Sequence, residues 1–422
     1  MKVSDTPSFS RTCLVGQLNV RDGFDCGKLE ENPKLWRRSL LTEKEFRKLD
    51  KKYYTAHLLS MAEVDRDVKV ERPCDLSAVR RYDMVFPEEV DSGDLFKGYP
   101  CRIERVSVWF FPCEVILFSI EIDDSGRPLN DITLMHGRWK EWDDNYADFG
   151  TKSLDNLLKP LSDLTKAPDK PDNLCFQNTK MRQYQVVQCD DDRIDDELLY
   201  EVATFSKIGV IGDPNQCARG KPSQDYYEHI MAENSVSAFS NWKALALNDS
   251  FTVLAIDGIY SDSELDSHGD GYRYFEMLYM RCLVQEFYCF SRNNGYREKS
   301  DVDLFAEEHN IELMEKYYFY DDFSYDFLPN MMYQAMVKGL GLQGDREELT
   351  LHVKQALREK RRRNNEIVVN SVKIFAVITV FWTLYTMFTT IFECLRGSVT
   401  AAIFTVLAFV TWLKFHNLTR EK

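Results

Sequence analysis

Two uncharged stretches near the C-terminus limit what this chain can fold into. Ile374–Phe392 is 19 residues long, Gly397–Leu413 is 17, and only Glu393–Arg396 separates them. As helices they would extend about 28 Å and about 25 Å, against a bilayer core of about 30 Å. The sequence therefore predicts two transmembrane helices, 374–392 and 398–413, in a tight hairpin. The alternative is two buried helices of a soluble core.

Positive charges around the hairpin predict its orientation. Basic residues precede and follow it, at Arg358, Lys360, Arg361, Arg362, Arg363, Lys414, Arg420 and Lys422. Lys and Arg are enriched on the cytoplasmic side of membrane helices. We therefore expect a multi-pass protein of the inner (plasma) membrane with both termini in the cytoplasm. The tail 414–422 is then a basic cytoplasmic segment, and the lipid bilayer is an expected partner.

The part of the chain before Asp345 is acidic. The chain has 422 residues and a net charge of −15, and the part from Asp345 onward holds 12 basic and 7 acidic residues. An acidic domain repels nucleic acid, so no direct nucleic-acid binding is expected. The alternative is that acidity only keeps this domain soluble. The 11 cysteines include no Cys-x-x-Cys pair, which is typical of free thiols in a reducing cytoplasm.

Residues 1–271 combine strand and helix patterns, which predicts a cytoplasmic α/β sensor domain. Strand patterns occur at Glu104–Ile122 (a hairpin or two strands), Ile132–Met135, Gln183–Cys189 and Phe251–Ile256. Helical patterns occur from a Thr42–Glu45 capping box to about Ser60, and at Asp195–Phe205, Tyr226–Met231 and Ser237–Leu247. No clear period is present in Met1–Glu31.

Helical spacing dominates from Tyr272 onward. We predict a helical subdomain at 272–344 and a stalk helix at 345–373, with Asp345 and Glu348 capping its start. No helix breaker occurs between Arg346 and Phe392. The stalk is therefore expected to continue without interruption into the first transmembrane helix.

A hydroxyl stripe runs along the first predicted span. Thr379, Thr383, Thr386 and Thr390 are spaced by four, three and four residues, so they lie within about 60° of one another around a helix. In a ring of subunits this stripe would line a central pore. The alternative is helix–helix packing through small polar residues.

The same helical face continues toward the cytoplasm with apolar and then basic residues. Val368, Val372 and Phe375 would form an apolar gate, since rings of apolar side chains close pores by dewetting. Arg358, Arg361, Arg362 and Arg363 would form a basic collar at the cytoplasmic mouth. The alternative is that these arginines only anchor the helix at the membrane surface.

Enzymatic motifs are mostly absent from the sequence, and an enzyme is the weakest of the alternatives. Gly209–Gly212 lacks the third glycine of a dinucleotide-binding loop, and Pro222 follows Gly220-Lys221 where a phosphate-binding loop needs Ser or Thr. The acidic loop Asp257–Asp270 lacks the glycine and the glutamate of a calcium loop. We therefore predict no enzyme, no catalytic residues and no metal site. One alternative is that the loop Ser206–Gln224 binds a ligand through its backbone N–H groups.

The layout resembles the CorA-type magnesium transport proteins, most closely over Tyr272–Lys422 and above all over Arg361–Phe392. The resemblance implies a homo-oligomeric funnel, a tetramer or pentamer, whose first span lines the pore. It also implies Mg²⁺ as a candidate ion. Family members end that span with Gly-Met-Asn, whereas Ile391-Phe392-Glu393-Cys394 stands here.

CorA-like proteins without this motif resemble membrane effectors of type III CRISPR antiviral defence. That resemblance implies gating by a small nucleotide messenger, such as the conjugate of S-adenosylmethionine with AMP, and membrane permeation as the output. Two other functions stay open at this point. One is a divalent-cation (Mg²⁺) transporter with a divergent filter, and the other is a membrane-tethered binding or scaffold protein that conducts nothing.

Overall fold

The chain divides into two units, Met1–Val353 and Lys354–Lys422, here called the first and the second unit. The structure is a computed structural model. It describes residues 6–20, 26–65, 67–69, 79–85, 101–113, 115–140, 174–176, 181–189, 194–211, 221–256, 272–298, 304–392 and 399–420. The predicted subdomain 272–344 lies within the first unit.

A mixed sheet organises the first unit, with ten strands in the described part of the chain. The strands are β1 (Phe9–Val20), β2 (Trp36–Arg38), β3 (Arg80–Met84), β4 (Arg102–Phe110), β5 (Ile116–Asp123), β6 (Leu174–Phe176), β7 (Arg182–Cys189), β8 (Ser235–Phe239), β9 (Trp242–Ala246) and β10 (Ser250–Ile256). Their order is β2-β3-β4-β5-β1-β7-β10-β9-β8, and β6 pairs with β1. Among the described strands, only β7 and β10 pair in parallel.

Strand β1 lies at the centre of this sheet, between β5 and β7. The sequence patterns did not reveal it. Its neighbouring residues Leu14 and Val15 point to opposite faces and are both fully buried. A strand that is buried on both faces does not alternate apolar with polar residues, so the period that marks a surface strand is missing.

The described part of the chain contains eleven helices. They are α1 (Gly27–Glu30), α2 (Glu43–Leu49), α3 (Thr55–Leu59), α4 (Leu129–Lys140), α5 (Asp196–Ala203), α6 (Gln224–Asn234), α7 (Tyr272–Glu298), α8 (Leu304–Tyr317), α9 (Phe327–Gly339), α10 (Leu342–Phe392) and α11 (Val399–Arg420). The predicted capping box is confirmed, since Thr42 accepts from Glu45 N and the Glu45 side chain accepts from Thr42 N. Helix α10 is continuous as predicted, but it begins at Leu342, so Asp345 lies in its first turn rather than at its cap.

Helix α7 is held on one face of the sheet by two buried acids. The Glu276 carboxylate accepts from Arg105 Nη2 of β4 at 2.6 Å, and Glu286 pairs with Arg182 of β7. Between these ion pairs, Tyr279 stacks on Phe251 with ring centroids 6.2 Å apart. The two ion pairs therefore hold α7 to the sheet at two separate points, and aromatic packing holds it between them.

The opposite face of the sheet carries two apolar clusters with polar side chains between them. One cluster contains Leu14 and Ile120, and the other contains Val187 and Leu254. Between them, Asp124 Oδ2 lies 2.8 Å from His136 Nε2 and 3.2 Å from the hydroxyl of Thr12, which donates to it. All three residues are fully buried.

Three local predictions were wrong. Ile132–Met135 is not a strand but part of helix α4. Ser237–Leu247 is not a helix, since it forms the hairpin of β8 and β9. The single helix expected up to Ser60 is two short helices, α2 and α3. By contrast, the predicted strand pair within Glu104–Ile122 is confirmed as β4 and β5, which pair antiparallel.

Candidate functional site

The second unit exposes a long apolar surface. Among the described residues, one helix segment, Leu342–Thr389, is long and apolar enough to cross a membrane. Its most apolar window has a mean hydropathy of 2.0, and none of that window is buried. A shorter apolar segment, Ile403–Leu413, lies in α11. Exposed apolar helices of this kind are typical of a protein that associates with a membrane.

Within the second unit, α10 and α11 contact each other through one face of α10. The rings of Phe388 and Phe404 lie 4.3 Å apart between centroids. Among the described side chains of the span, the large apolar ones near this face are less exposed than those on other faces, with Phe381 at 39% and Leu384 at 43%. On other faces Phe375 and Trp382 are 69% and 68% exposed. Helix α11 therefore covers the face around Phe388.

The hydroxyl stripe lies on the opposite face of α10. Phe388 is nine residues from Thr379, which places it about 180° away around the helix. Thr379, Thr383 and Thr386 are exposed, so the described part of the stripe does not pack against α11. Thr390 lies in α10, but its side chain lies outside the described residues.

Each described hydroxyl of the stripe bonds to its own helix. Thr379 donates to the carbonyl of Phe375 at 2.8 Å, and Thr383 donates to that of Thr379 at 2.7 Å. Thr386 lies within hydrogen-bond distance of two carbonyls, those of Trp382 and Thr383. These bonds lower the cost of placing the hydroxyls in an apolar environment. Their oxygens keep acceptor capacity for a water or an ion.

The predicted gate residues continue this exposed face. Val368 is 59% exposed, Val372 is 61% exposed and Phe375 is 69% exposed. By helical geometry all three lie within about 40° of Thr379. The three side chains therefore share one face of α10 with the stripe.

The four predicted collar arginines do not share one face. Arg361 aligns with Thr379, while Arg363 lies about 160° away from it. Arg362 lies 3.7 Å from Glu366, and both side chains are exposed. An exposed pair at this spacing contributes only about 0.3–0.5 kcal/mol. Of the four, Arg361 is the one best aligned with the stripe.

The loop proposed to bind a ligand through its backbone already uses two N–H groups internally. Gly209 N and Ile211 N donate to the Glu201 carboxylate at 2.7 and 2.8 Å. Burial raises the pKa of Glu201, and these hydrogen bonds act against that rise. Both N–H groups are therefore occupied by a carboxylate of the chain itself. Residues 212–220 of this loop, Asp257–Asp270 and the hairpin loop Glu393–Arg396 lie outside the described residues.

A buried arginine, which the sequence patterns did not single out, lies in helix α7. Arg281 is 1% exposed. Its guanidinium lies over the rings of Phe323, Tyr333 and Tyr318, at 5.0, 5.5 and 5.7 Å from their centroids. Its nitrogens donate to the Ser60 hydroxyl and to the carbonyls of Tyr318 and Tyr320. A lone arginine in an apolar helical stretch gives no sequence signal of this environment.

Comparisons of the chain with known protein families, with curated proteins and with solved structures find no match.

Proposed function

We propose that this protein is a ligand-gated channel of the inner membrane with a CorA-like, homo-oligomeric architecture. In this proposal both termini are cytoplasmic, and α10 and α11 each cross the bilayer. The observation that supports it is the position of the hydroxyl stripe. Thr379, Thr383 and Thr386 lie on the face of an exposed apolar helix that is opposite its hairpin partner.

A channel of this kind needs several copies of the chain. Two helices cannot enclose a water-filled path, so the path would form on a symmetry axis between copies, four or five in the proposed assembly. The face carrying Thr379 would turn to the axis, and the face around Phe388 would hold α11 on the outside. In this arrangement one face of α10 lines the pore and the opposite face packs against α11.

The apolar segment below the stripe supplies the gate. Val368, Val372 and Phe375 would narrow the path, and a ring of such side chains stops conduction when water leaves it. A cytosolic ligand would open the gate by binding the open arrangement more tightly than the closed one. A small nucleotide, of the type used in type III CRISPR defence, is the proposed ligand. Loss of the ion gradient would then be the antiviral effect.

The gate can be tested without knowing the ligand. Phe375→Ser replaces the most exposed ring of the proposed gate with a hydroxyl, which should keep the constriction wet. Ion flux into liposomes containing the variant should rise several-fold over wild type. Ile378→Ser is the matched control, because Ile378 is also exposed (56%) but lies about 100° from Thr379. It should leave the flux unchanged.

The role of the hydroxyl stripe is tested in the Phe375→Ser variant, whose gate is expected to stay open. Thr383→Leu or Thr386→Leu, combined with Phe375→Ser, should lower the flux again without changing the oligomer seen by size-exclusion chromatography. Thr389→Leu is the control, because its hydroxyl also bonds to its own helix but lies about 80° off the stripe. Equal flux in all of these variants would favour a membrane-tethered scaffold over a channel.

A further inference from the structure

One arginine near the start of α10, Arg346, makes polar contacts with three other parts of the first unit. Its Nη2 donates to the side-chain oxygen of Gln285 and to the hydroxyl of Tyr333, the latter at 3.0 Å. Its Nη1 donates to the carboxylate of Asp321 at 3.3 Å. The guanidinium also lies over the ring of Phe319, 5.1 Å from its centroid. A single side chain therefore ties α10 to α7, to α9 and to the segment that follows α8.

These contacts continue into the interior as a chain of hydrogen bonds. Gln285 and Tyr333 are fully buried, and Gln285 Nε2 donates to the Tyr333 hydroxyl at 2.8 Å. That hydroxyl donates to the carbonyl of Tyr318 at 2.9 Å, and the same carbonyl accepts from Arg281 Nη2 at 3.2 Å. The proton and both lone pairs of the hydroxyl are thus in use. Arg346 and Arg281 therefore hold the same short segment after α8.

The ionic part of the Arg346 contact differs from the two ion pairs that hold α7. The side chains of Glu276 and Glu286 are 3% and 8% exposed, whereas that of Asp321 is 61% exposed. Water and salt weaken an exposed ion pair more than a buried one, and dissolved cations can reach its carboxylate. The Arg346–Asp321 pair can therefore be broken from solution without opening the buried core.

The connection before α10 is short and contains a glycine in the left-handed region. Helix α9 ends at Gly339, and α10 begins at Leu342. A Cβ atom at Gly339 would lie 2.6 Å from the backbone carbonyl of Ala246 in β9, so the end of α9 is packed directly on the sheet. Gly341, between the two helices, has a φ of 69°, which glycine adopts without strain. A change in the direction of α10 can therefore occur at Gly341 while α9 stays in place.

We propose that Arg346 is a latch that holds the start of α10 in one orientation, and that Gly341 is the hinge about which α10 turns when the latch opens. The exposed part of the latch is the Asp321 carboxylate, so a cation that competes for this carboxylate would favour the open state. The effect of release on conduction rests on the function proposed above, whereas the latch itself does not.

Hydrogen–deuterium exchange of the full-length protein in detergent measures the latch without any conduction. Arg346→Met removes the charge and the hydrogen bonds but keeps an unbranched side chain. It should raise the exchange of residues 346–353 at least about tenfold, because losing hydrogen bonds from a charged group typically weakens local structure by that factor or more. Exchange in the central strand β1 should not change. Lys354→Met, the same loss of charge at an exposed position of α10, is the control and should leave both regions unchanged.

A milder variant tests the ionic part alone. Asp321→Asn, at an exposed position, should raise the exchange of residues 346–353 about two- to fivefold. In the wild type, about 1 M sodium chloride should have a similar effect, while in Asp321→Asn the salt should add nothing. Unchanged exchange in both Arg346→Met and Asp321→Asn would refute the latch.

Ion flux into liposomes separates the latch from the channel. With the channel as proposed, Arg346→Met should raise the flux several-fold, as Phe375→Ser does. If Phe375→Ser conducts and Arg346→Met exchanges faster but adds no flux, the latch is not coupled to the gate. If neither variant adds flux while exchange in 346–353 is faster, the channel proposal fails and the latch is supported.

Discussion

Buried positions in the first unit include charged and polar side chains, whereas exposed positions in the second unit are largely apolar. Arg105, Glu276 and Arg281 lie in the interior of the first unit, held by ion pairs, hydrogen bonds or aromatic rings. In the second unit Phe375 and Trp382 are among the most exposed side chains. Buried polar groups have to be satisfied inside the fold, whereas an exposed apolar helix is typical of a segment that associates with a membrane.

Two threonines, one in each unit, use their hydroxyl groups differently. In the first unit the Thr12 hydroxyl donates across the fold to the carboxylate of Asp124. In the second unit Thr383 bonds to a carbonyl only four residues away in its own helix. A bond across the fold stabilises tertiary structure, whereas a bond within one helix leaves the outward side of the residue available. This difference makes the stripe compatible with a pore or with lipid.

The largest expected effect concerns the buried ion pairs of the first unit. Glu276→Gln removes a charge that accepts two 2.6 Å bonds from Arg105. It leaves one positive charge in excess in the buried group formed with Arg11 and Glu121. We expect a loss of about 3 kcal/mol or more, measured by chemical unfolding of the full-length protein in detergent, followed by tryptophan fluorescence.

The control for that prediction is the same replacement at an exposed pair. Glu43 lies 3.9 Å from Arg47, and both side chains are more than half exposed. Glu43→Gln should change the stability by no more than about 0.5 kcal/mol. Similar losses in both variants would show that the charges buried under α7 are not what distinguishes the first unit.

A smaller loss of stability is expected when one threonine in each unit is replaced by valine. Thr12→Val removes the bond to Asp124, whose Oδ1 already has no partner among the described residues. It should cost about 2 kcal/mol. Thr383→Val removes only a bond within α10 and should cost about 0.5 kcal/mol or less. Unfolding midpoints in detergent give both values, and a larger loss for Thr383→Val would contradict the contrast between the units.

The sequence predicted those parts of the fold in which local pattern and tertiary environment agree. The strand pair β4 and β5 was predicted from the alternation of apolar and polar residues. The continuous helix α10 was predicted from the absence of helix-breaking residues. The hairpin of β8 and β9 was mistaken for a helix because Ala244, Leu245 and Ala246 favour helices locally. Pairing of β9 with β10 overrides that preference.

The hydroxyl stripe and the surroundings of Arg281 also differ in how far the sequence alone could predict them. The stripe follows from helical spacing, so the sequence was sufficient to place Thr379, Thr383 and Thr386 on one face. That α11 covers the opposite face follows only from the packing of Phe388 against Phe404. The environment of Arg281 combines residues from α3, α7, α9 and the segment after α8, and no pattern along the chain brings these together.

The most direct test of the channel proposal is electron microscopy of the full-length protein in lipid nanodiscs. We expect a ring of four or five copies in which Thr379, Thr383 and Thr386 face the central axis and α11 lies on the outside. A monomer, or a ring in which these threonines face the acyl chains, would contradict it.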